Sequence, residues 1–568
     1  MRAAGSVVTA AVAAIGLLVL VAALPWLRDE DPAQAALRVR FHARGDDPEA
    51  VEALRRQLDL PADPWSGVWR WLSSAVGGDF GESWSSGRPV TEIVGPALLR
   101  SATLSGSALV VAVLVVTTLL AYPVWRATAD SGPFSARLGA LCGTLAALPE
   151  VILAITGVAV FAVGWQLLPA IGWGSPHHLV LPALALGIPA GGLLARIVTA
   201  TAEQALAEPW VTTWRANHIG RPAITGAVAR RVVAVGAPQA VVVAVTVFGS
   251  SVAVEKVFAI RGAGTLAVNS VLSQDLPVLQ TCLAAFIGAG LACAAGAAML
   301  HGILLRPALS AEATGTAVTA APPSTAIAPV TLAAVAMVVI AGLFRDGDST
   351  DLDLRLQAPS LRHPLGTDAV GHDLLGRVSA GTVRTVGLAL IITFAALLVA
   401  LAIGLLVRSA RAGAVDVFNT VPSTVAGIIL AAILGQSLFS ACIAVLAVAW
   451  IPLAVHARTL AVTARAAGYV EAAALAGVGP VAVTVTHVLP AIAGPLLRHA
   501  LVRVPATALG IAGLSFIGLG ADVDNAELGA MLTGGLDYLT TEPWVVAAPG
   551  GVIVALGLAA GTVRVATR

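Results

Sequence analysis

Tyr469-Val470-Glu471-Ala472-Ala473-Ala474-Leu475-Ala476-Gly477, followed after nine residues by His487-Val488-Leu489-Pro490, is a short polar interruption between long apolar runs. Val470 to Ala476 is a helix-forming run rich in Ala and Leu. Glu471 lies in its first turn, where a carboxylate suits the helix dipole. Gly477 stops that helix. Pro480 is suited to the first position of a second one, and Pro490 marks the return to the apolar phase. The spacing predicts a compact helix–turn–helix elbow hung from two membrane spans. A partner that moves such an elbow tilts both spans, and its small alanines let a neighbouring groove approach closely.

Outward from the elbow the chain is apolar. Hydrophobic residues make up 57% of its 568 residues and charged residues 11%, with a mean hydropathy of +0.88. A soluble domain carries about 25% charged residues, so the composition defines an integral membrane protein. A net charge of +1 gives no basis for a nucleic-acid partner. Arginine supplies nearly all the positive charge, and Lys256 is the sole lysine. Cys142, Cys282, Cys293 and Cys442 lie inside apolar runs without metal-ligand spacing and behave as small hydrophobes.

A helix needs about 20 apolar residues to cross the hydrocarbon core. Twelve stretches qualify: 5–24, 102–124, 138–163, 179–200, 233–254, 279–304, 327–344, 383–407, 415–435, 438–459, 491–513 and 544–563. Residues 5–24 are too long for a signal-peptide core and are followed by Pro25-Trp26-Leu27-Arg28, so they are expected to be a retained first span. Pro149 interrupts the third. With both termini in the cytoplasm, Arg126, Arg137, Arg215, Arg221, Arg230, Arg231, Arg408, Arg411, Arg458, Arg465, Arg564 and Arg568 all fall inside, as the positive-inside rule requires.

The chain divides into two halves. Residues 306–326, with Pro322-Pro323, form an Ala-, Thr- and Pro-rich bridge expected to be a cytoplasmic linker. Residues 1–305 hold six spans and a large outer loop at 25–101; residues 327–568 hold the other six. Each half has a polar loop between its fourth and fifth spans, at 205–231 and 465–490. Trp210-Val211-Thr212-Thr213-Trp214-Arg215-Ala216-Asn217-His218 occupies the place of Tyr469 to Gly477, 259 residues earlier. Thr212 stands at Glu471 and His218 at Gly477. A parallel repeat about an axis along the membrane normal is a common transporter plan.

Both halves resemble the permeases of the dipeptide/oligopeptide/nickel family of ABC importers, B-type first and C-type second. In the second half the resemblance rests on His363-Pro364-Leu365-Gly366-Thr367-Asp368 and Gly371-His372-Asp373-Leu374-Leu375-Gly376-Arg377. Asp416, Val421-Pro422, Trp450 and Arg458 continue it, then Leu514-Ser515-Phe516-Ile517-Gly518-Leu519-Gly520, Gly529-Ala530-Met531-Leu532, Asp537-Tyr538-Leu539, Pro543-Trp544 and Pro549-Gly550. In the first half it rests on Gly77-Gly78-Asp79-Phe80-Gly81-Glu82-Ser83, Ser86-Gly87-Arg88-Pro89-Val90, His178-Leu179-Val180-Leu181-Pro182-Ala183, Ala195-Arg196, Val254-Glu255-Lys256-Val257-Phe258, Gly262-x-Gly264 and Asp275-x-Pro277-Val278. Two features depart from the pattern. His218 holds the glycine position of a degenerate first loop, with Val228 and Arg230 in place of the closing His and Leu. The chain ends Ala560-Gly561-Thr562-Val563-Arg564 and onward without the family's Asn…Gly-Asp…Arg-Asp tail.

The resemblance implies an all-α integral membrane fold of about 12 transmembrane helices in two six-helix permease halves, type I ABC importer-like, in the bacterial cytoplasmic (inner) membrane. It implies two cytoplasmic ATP-binding cassette domains and an extracytoplasmic substrate-binding protein as partners. Coupling to the ATPases falls to Tyr469, Glu471, Ala472, Ala473, Gly477, His487, Leu489 and Pro490, with Trp210, Thr212, Arg215 and His218 as the degenerate second set. Peptides are the commonest substrates of that subfamily; metal chelates and glycosides also occur. Independently of the resemblance, Lys256 lacks the Gly-x4-Gly-Lys-Ser/Thr frame that cradles phosphates. The chain is therefore expected to bind no cofactor and to catalyse no reaction, ATP and Mg being handled on partner subunits.

His177-His178 point apart and lack a third ligand, so no metal residue is assigned. Asp368 and Asp373 suit either a polar turn or a meeting point for a binding protein or cation. Glu255 and Lys256 are expected to satisfy each other or water. Span interiors are expected to be nearly free of ionisable groups, which weighs against the competing reading, an ion- or proton-coupled twelve-span carrier. A further competitor is a non-transporting scaffold or sensor on a permease fold.

Overall fold

The computed structural model describes residues 12, 15–27, 31–41, 48–58, 60–61, 63–129, 134, 136–304, 327–406, 423–522 and 525–562. The linker 306–326, Arg408, Arg411, Asp416, Val421-Pro422, Arg564 and Arg568 lie outside them, as does part of the first expected span.

The apolar runs fold as helices, since only intrahelical hydrogen bonds satisfy the backbone of a single span in lipid. The first half contains α1 (Ile15–Trp26), then α2 (Pro32–Phe41), α3 (Pro48–Gln57), α4 (Pro64–Val76), α5 (Val90–Ala127), α6 (Ala136–Ala147) and α7 (Glu150–Gly157). It continues with α8 (His177–Leu206), α9 (Pro209–Ala216), α10 (Arg221–Val257), α11 (Ala263–Leu272) and α12 (Leu276–Leu304). The second half contains α13 (Ile327–Gly342), α14 (Leu374–Leu406), α15 (Ser423–Leu434), α16 (Leu438–Arg465), α17 (Gly468–Leu475), α18 (Pro480–Val483), α19 (Leu489–Ile517), α20 (Leu528–Gly535) and α21 (Trp544–Thr562).

The described part of every expected span is helical to within two residues, 138–163 being divided between α6 and α7, while parts of 5–24 and 415–435 lie outside the described residues. Among the described residues eight helices are long and apolar enough to cross a membrane. Arg137–Ala147 and Glu150–Gly164 meet the same test only together, and they are bent by 82° at their junction. The bend falls where Pro149 removes a backbone donor and disfavours a helical residue before it. Ile15–Trp26, Ile327–Gly342 and Thr424–Leu434 are shorter, and each adjoins residues outside the described set.

The halves are built alike. In one, α5 packs on α8 and α10; in the other, α14 packs on α16 and α19. Small residues let the backbones close: a Cβ at Gly187 or Gly191 would collide with Val111 or Val115 of α5, and one at Gly404 would meet Ala457. The same device joins the halves. Gly557 and Gly561 of α21 ride on Ala147 and Gly143 of α6, so close that a Cβ at Gly557 would lie 2.5 Å from the Ala147 carbonyl oxygen. Thr424 Oγ1 donates to the Gly249 carbonyl across the same divide, at 2.8 Å.

Away from the elbows each half carries a folded cap. In the first, Asp275 accepts from Ser83 Oγ, Ser85 Oγ and the amides of Trp84 and Ser85, at 2.6 to 3.2 Å. In the second, Trp544 Nε1 donates to the Thr367 carbonyl at 3.3 Å. Asp368 and Asp373 belong inside that cap. Asp373 pairs with Arg345 and His363 at 2.8 and 2.9 Å and accepts from the amides of Leu375 and Gly376. Asp368 pairs with His372 at 2.8 Å and lies 3.5 Å from Arg377. Their expected alternative role as outward contacts gives way to a turn-forming one.

Candidate functional site

Each half suspends an elbow between two of its long helices. In the second, α17 runs to Leu475, the chain turns at Gly477 with φ +85°, and α18 starts at Pro480. In the first, α9 runs to Ala216, the chain turns at His218 with φ +56°, and α10 starts at Arg221-Pro222. The amide of Val478 donates to the Ala473 carbonyl, and that of Ile219 to the Trp214 carbonyl. These are the same bond 259 residues apart. Left-handed backbone suits glycine and costs a side-chain-bearing residue about 1 kcal/mol, yet His218 adopts it. The feature that marks the first loop as degenerate therefore does not alter its turn.

The anchors also match. Val211, Ile224, Val228 and Val232 are buried under the first elbow with Ala202 and Ala205. Val470, Val483, Val488 and Ile492 are buried under the second with Ala461. Val470 and Val483 stand 259 residues after Val211 and Ile224; Val488 and Ile492 stand 260 after Val228 and Val232. The extra residue is absorbed by a π turn at Thr484–Val488, a wider coil that inserts one residue without breaking the helix. This corrects the expected pairing of Val228 with His487 and of Arg230 with Leu489. Packing pairs Val228 with Val488 and leaves His487 as the residue the second elbow adds. There His487 stacks near Tyr469, ring centroids 6.3 Å apart, and its Nδ1 bonds Thr486 Oγ1 at 2.7 Å.

An arginine ties each elbow to the long helix before it, from different places. Arg215, on α9, donates to the Thr128 and Ala127 carbonyls at 2.9 and 2.8 Å, capping α5. Arg465, at the end of α16, donates to the Leu405 carbonyl of α14. Charge-assisted bonds to exposed helix C-termini are favourable on both dipole and hydrogen-bond grounds.

The crowns differ. On the second elbow Leu475 is 84% exposed and Val481 75%, with Val485, Val478 and Tyr469 exposed beside them. Glu471, Ala472 and Gly477 share this open surface, Ala473 and Leu489 are half-buried, and Pro490 is exposed. On the first elbow the open surface is Thr212, Thr213, Ala216, Asn217, His218 and Ile219, the last standing at the position of Val478. Trp210 and Trp214 are turned inward against each other, centroids 5.0 Å apart, and Trp210 Nε1 donates to Glu208, which also pairs with Arg231 at 3.1 Å.

At the far ends of the spans each half holds one buried carboxylate that caps a short helix. Glu255, the sole acidic residue of α10, accepts from Ser101 Oγ at 2.6 Å, Ser251 Oγ at 3.1 Å and the Thr265 amide at 2.8 Å. Gly262 is required there by space: a Cβ would sit 2.3 Å from the carboxyl carbon. Glu527 accepts from the Gly529 and Ala530 amides at 2.9 and 3.0 Å and from Thr385 Oγ1 at 3.1 Å. Burial pushes the Glu527 carboxyl up from its ordinary 4.5, against the pull of its donors at Ala530, Ser515, Thr385 and Gly529. Asp373, in the cap, goes the other way. Burial raises it, but His363, the Gly376 amide, Arg345 and the Leu375 amide outweigh that and hold it below the usual carboxylate range.

Two expectations about charge are corrected. Glu255 and Lys256 do not satisfy each other, since neighbours on a helix point about 100° apart. Lys256 Nζ instead reaches the second half, donating to the Phe516 carbonyl at 2.5 Å and lying 5.3 Å from the Phe516 ring centroid. Nor are the spans nearly free of ionisable side chains: His456, His499 and Arg503 lie within α16 and α19. Among the described residues no group of three His, Cys, Asp or Glu side chains is arranged to hold a metal. His178 bonds Ser175 at 2.9 Å.

Two structurally equivalent bundles of membrane helices, each with a paired-helix elbow, define a polytopic transport protein built from a duplicated unit. The chain belongs to the family of binding-protein-dependent transport system inner membrane components, whose pattern matches it twice, over residues 124–311 and 391–565. It is 36% identical over 217 residues to the probable D,D-dipeptide transport system permease protein DdpC of Escherichia coli K12, covering 37% of this chain and 72% of that one. It is 32% identical over 216 residues to the nickel transport system permease protein NikC of the same strain, 36% of this chain and 76% of the relative. The glutathione transport system permease protein GsiC of Salmonella paratyphi A is 30% identical over 244 residues, 41% and 76%. The chain is thus a multi-span permease of an inner-membrane transport family, with two permease halves fused.

Proposed function

We propose that this chain is the transmembrane permease subunit of an ATP-driven ABC importer, with both half-permeases fused. Residues 1–305 are the B-type half, 306–326 a cytoplasmic linker and 327–568 the C-type half, with both termini in the cytoplasm. Two ATP-binding cassette domains on separate subunits dock under the elbows, one at Tyr469, Glu471, Ala472, Ala473, Gly477, His487, Leu489 and Pro490, the other at Trp210, Thr212, Arg215 and His218. They hold the ATP and Mg, and this chain makes and breaks no covalent bond. An extracytoplasmic binding protein delivers the solute, a peptide or related small molecule, in keeping with relatives named for D,D-dipeptides, nickel and glutathione.

One observation carries this reading: a surface elbow, rigidly anchored by a buried quartet in each half, presents a bare apolar crown on the second. Exposed apolar side chains at a helix turn mark an interaction site. Closing of the ATPases displaces the elbows, and the anchors transmit that displacement to α8 and α10 and to α16 and α19, reopening the path on the other face. The test is a purified complex in lipid nanodiscs or vesicles. ATP hydrolysis stimulated by loaded binding protein, with ATP-dependent uptake, is expected. Uptake driven by an ion gradient without ATP would overturn the proposal in favour of a secondary carrier.

A further inference from the structure

Arg503 lies at the middle of α19, His499 one turn nearer the elbow, and His456 beside them on α16. The two imidazoles stack with centroids 4.5 Å apart and planes 32° from parallel. All three side chains are partly exposed. Among the described residues none of them has a carboxylate within ion-pair distance or an acceptor within hydrogen-bond distance. An ionisable side chain at this depth faces a bundle interior or a water-filled cavity.

The pattern along α19 indicates which. Its buried stripe runs through Ile492, Leu496, Ala500, Val504 and Ala508. One edge of that stripe presents Leu497 and Leu501, 45% and 53% exposed, an apolar surface suited to lipid. The other edge, about 160° away at 100° per residue, carries His499, Arg503 and the exposed Ala506. In the first half α10 has no such edge. In the register set by the elbows, Gln239 and Val243 stand at His499 and Arg503, and Ile197 at His456. A water-filled space bordered by this edge thus has one cationic wall.

We propose that His456, His499 and Arg503 form an anion-accepting station on the wall of the solute path, taking a carboxylate of the transported solute at mid-membrane. The guanidinium fork matches a carboxylate in two parallel bonds, and the stacked imidazoles add donors beside it. This rests on the transport reading and adds to it the class of cargo: a solute bearing at least one free carboxylate.

The test uses the full chain in nanodiscs with Ala506→Cys as reporter. Labelling by an anionic and a cationic methanethiosulfonate, sulfonatoethyl and trimethylammonioethyl, is followed by mass spectrometry. Each rate is divided by that reagent's rate with free 2-mercaptoethanol. The anionic reagent is expected to be favoured about tenfold, the preference falling to near unity with Arg503→Gln and largely surviving Arg503→Lys. Equal normalised rates, no labelling by either reagent, or a preference that outlasts Arg503→Gln would overturn the station. No ATPase or binding protein takes part, so that failure would leave ATP coupling standing, and a failure of ATP coupling would leave the labelling result unaffected.

Discussion

The two elbows share a skeleton and differ in skin. The four buried anchors correspond, and the turn residue is left-handed in both, at His218 and at Gly477. The surface is polar at Thr212, Thr213, Asn217 and His218 but apolar at Leu475, Val481 and Val485, while Ile219 and Val478 match. Divergence has spared what holds an elbow in place and altered what a partner would touch. Departures from a motif thus carry different weights: His218 replaces a glycine without changing the backbone, whereas the loss of a leucine crown changes the contact itself.

Substitutions break or sharpen that contrast. The largest effect is expected from Gly477→Asp. Nothing lies within 4 Å of a Cβ built there, so inside the chain the change costs only the left-handed strain, about 1 kcal/mol, and its larger effect falls on the docked partner. ATP-dependent uptake should fall more than tenfold with membrane insertion unchanged, while His218→Asp should cost less than about threefold. Next, Leu475→Asp should weaken ATPase-subunit affinity by about tenfold, the scale of losing one buried leucine contact, whereas Thr212→Asp should change it little in pull-down titrations. Third, Glu527 has a folded-state value above its ordinary 4.5. The stability it contributes is fully present below about pH 4.5 and is lost as pH rises through the folded value. The melting temperature of the parent chain relative to Glu527→Gln should therefore fall as pH rises above about 4.5. The smallest effect belongs to His218→Gly, which relieves left-handed strain and should stabilise the first elbow by about 1 kcal/mol, visible as a small rise in melting temperature with uptake retained.

Much of this was legible in the residues themselves. Gly477 and Pro480 carry their turn chemistry openly, and Pro149 marks the bend in the third expected span, though not its 82° angle. Hydropathy located the eight helices long enough to cross because apolar length is a direct physical requirement of the bilayer. What escaped was set by packing. A π turn has no residue signature, so only the burial of Val488 and Ile492 exposes the one-residue shift. The carboxylate caps escaped for another reason: one half supplies Glu255 from its long helix and the other Glu527 from a loop, so no aligned position reveals that they do the same work. Arg215 and Arg465 repeat that lesson at the opposite end. His499 and Arg503 on α19 were visible as letters, but their common edge with Ala506 emerges only from the helix wheel and the burial beside it.

The coupling claim is tested most directly by a photo-cross-linking amino acid placed at Leu475 in cells that contain the whole transporter. A covalent adduct is expected whose partner peptides come from a subunit carrying a Gly-x4-Gly-Lys-Ser/Thr loop, and it should disappear with Gly477→Asp. Adducts with lipid alone, or none from a chain that still imports its solute, would contradict it.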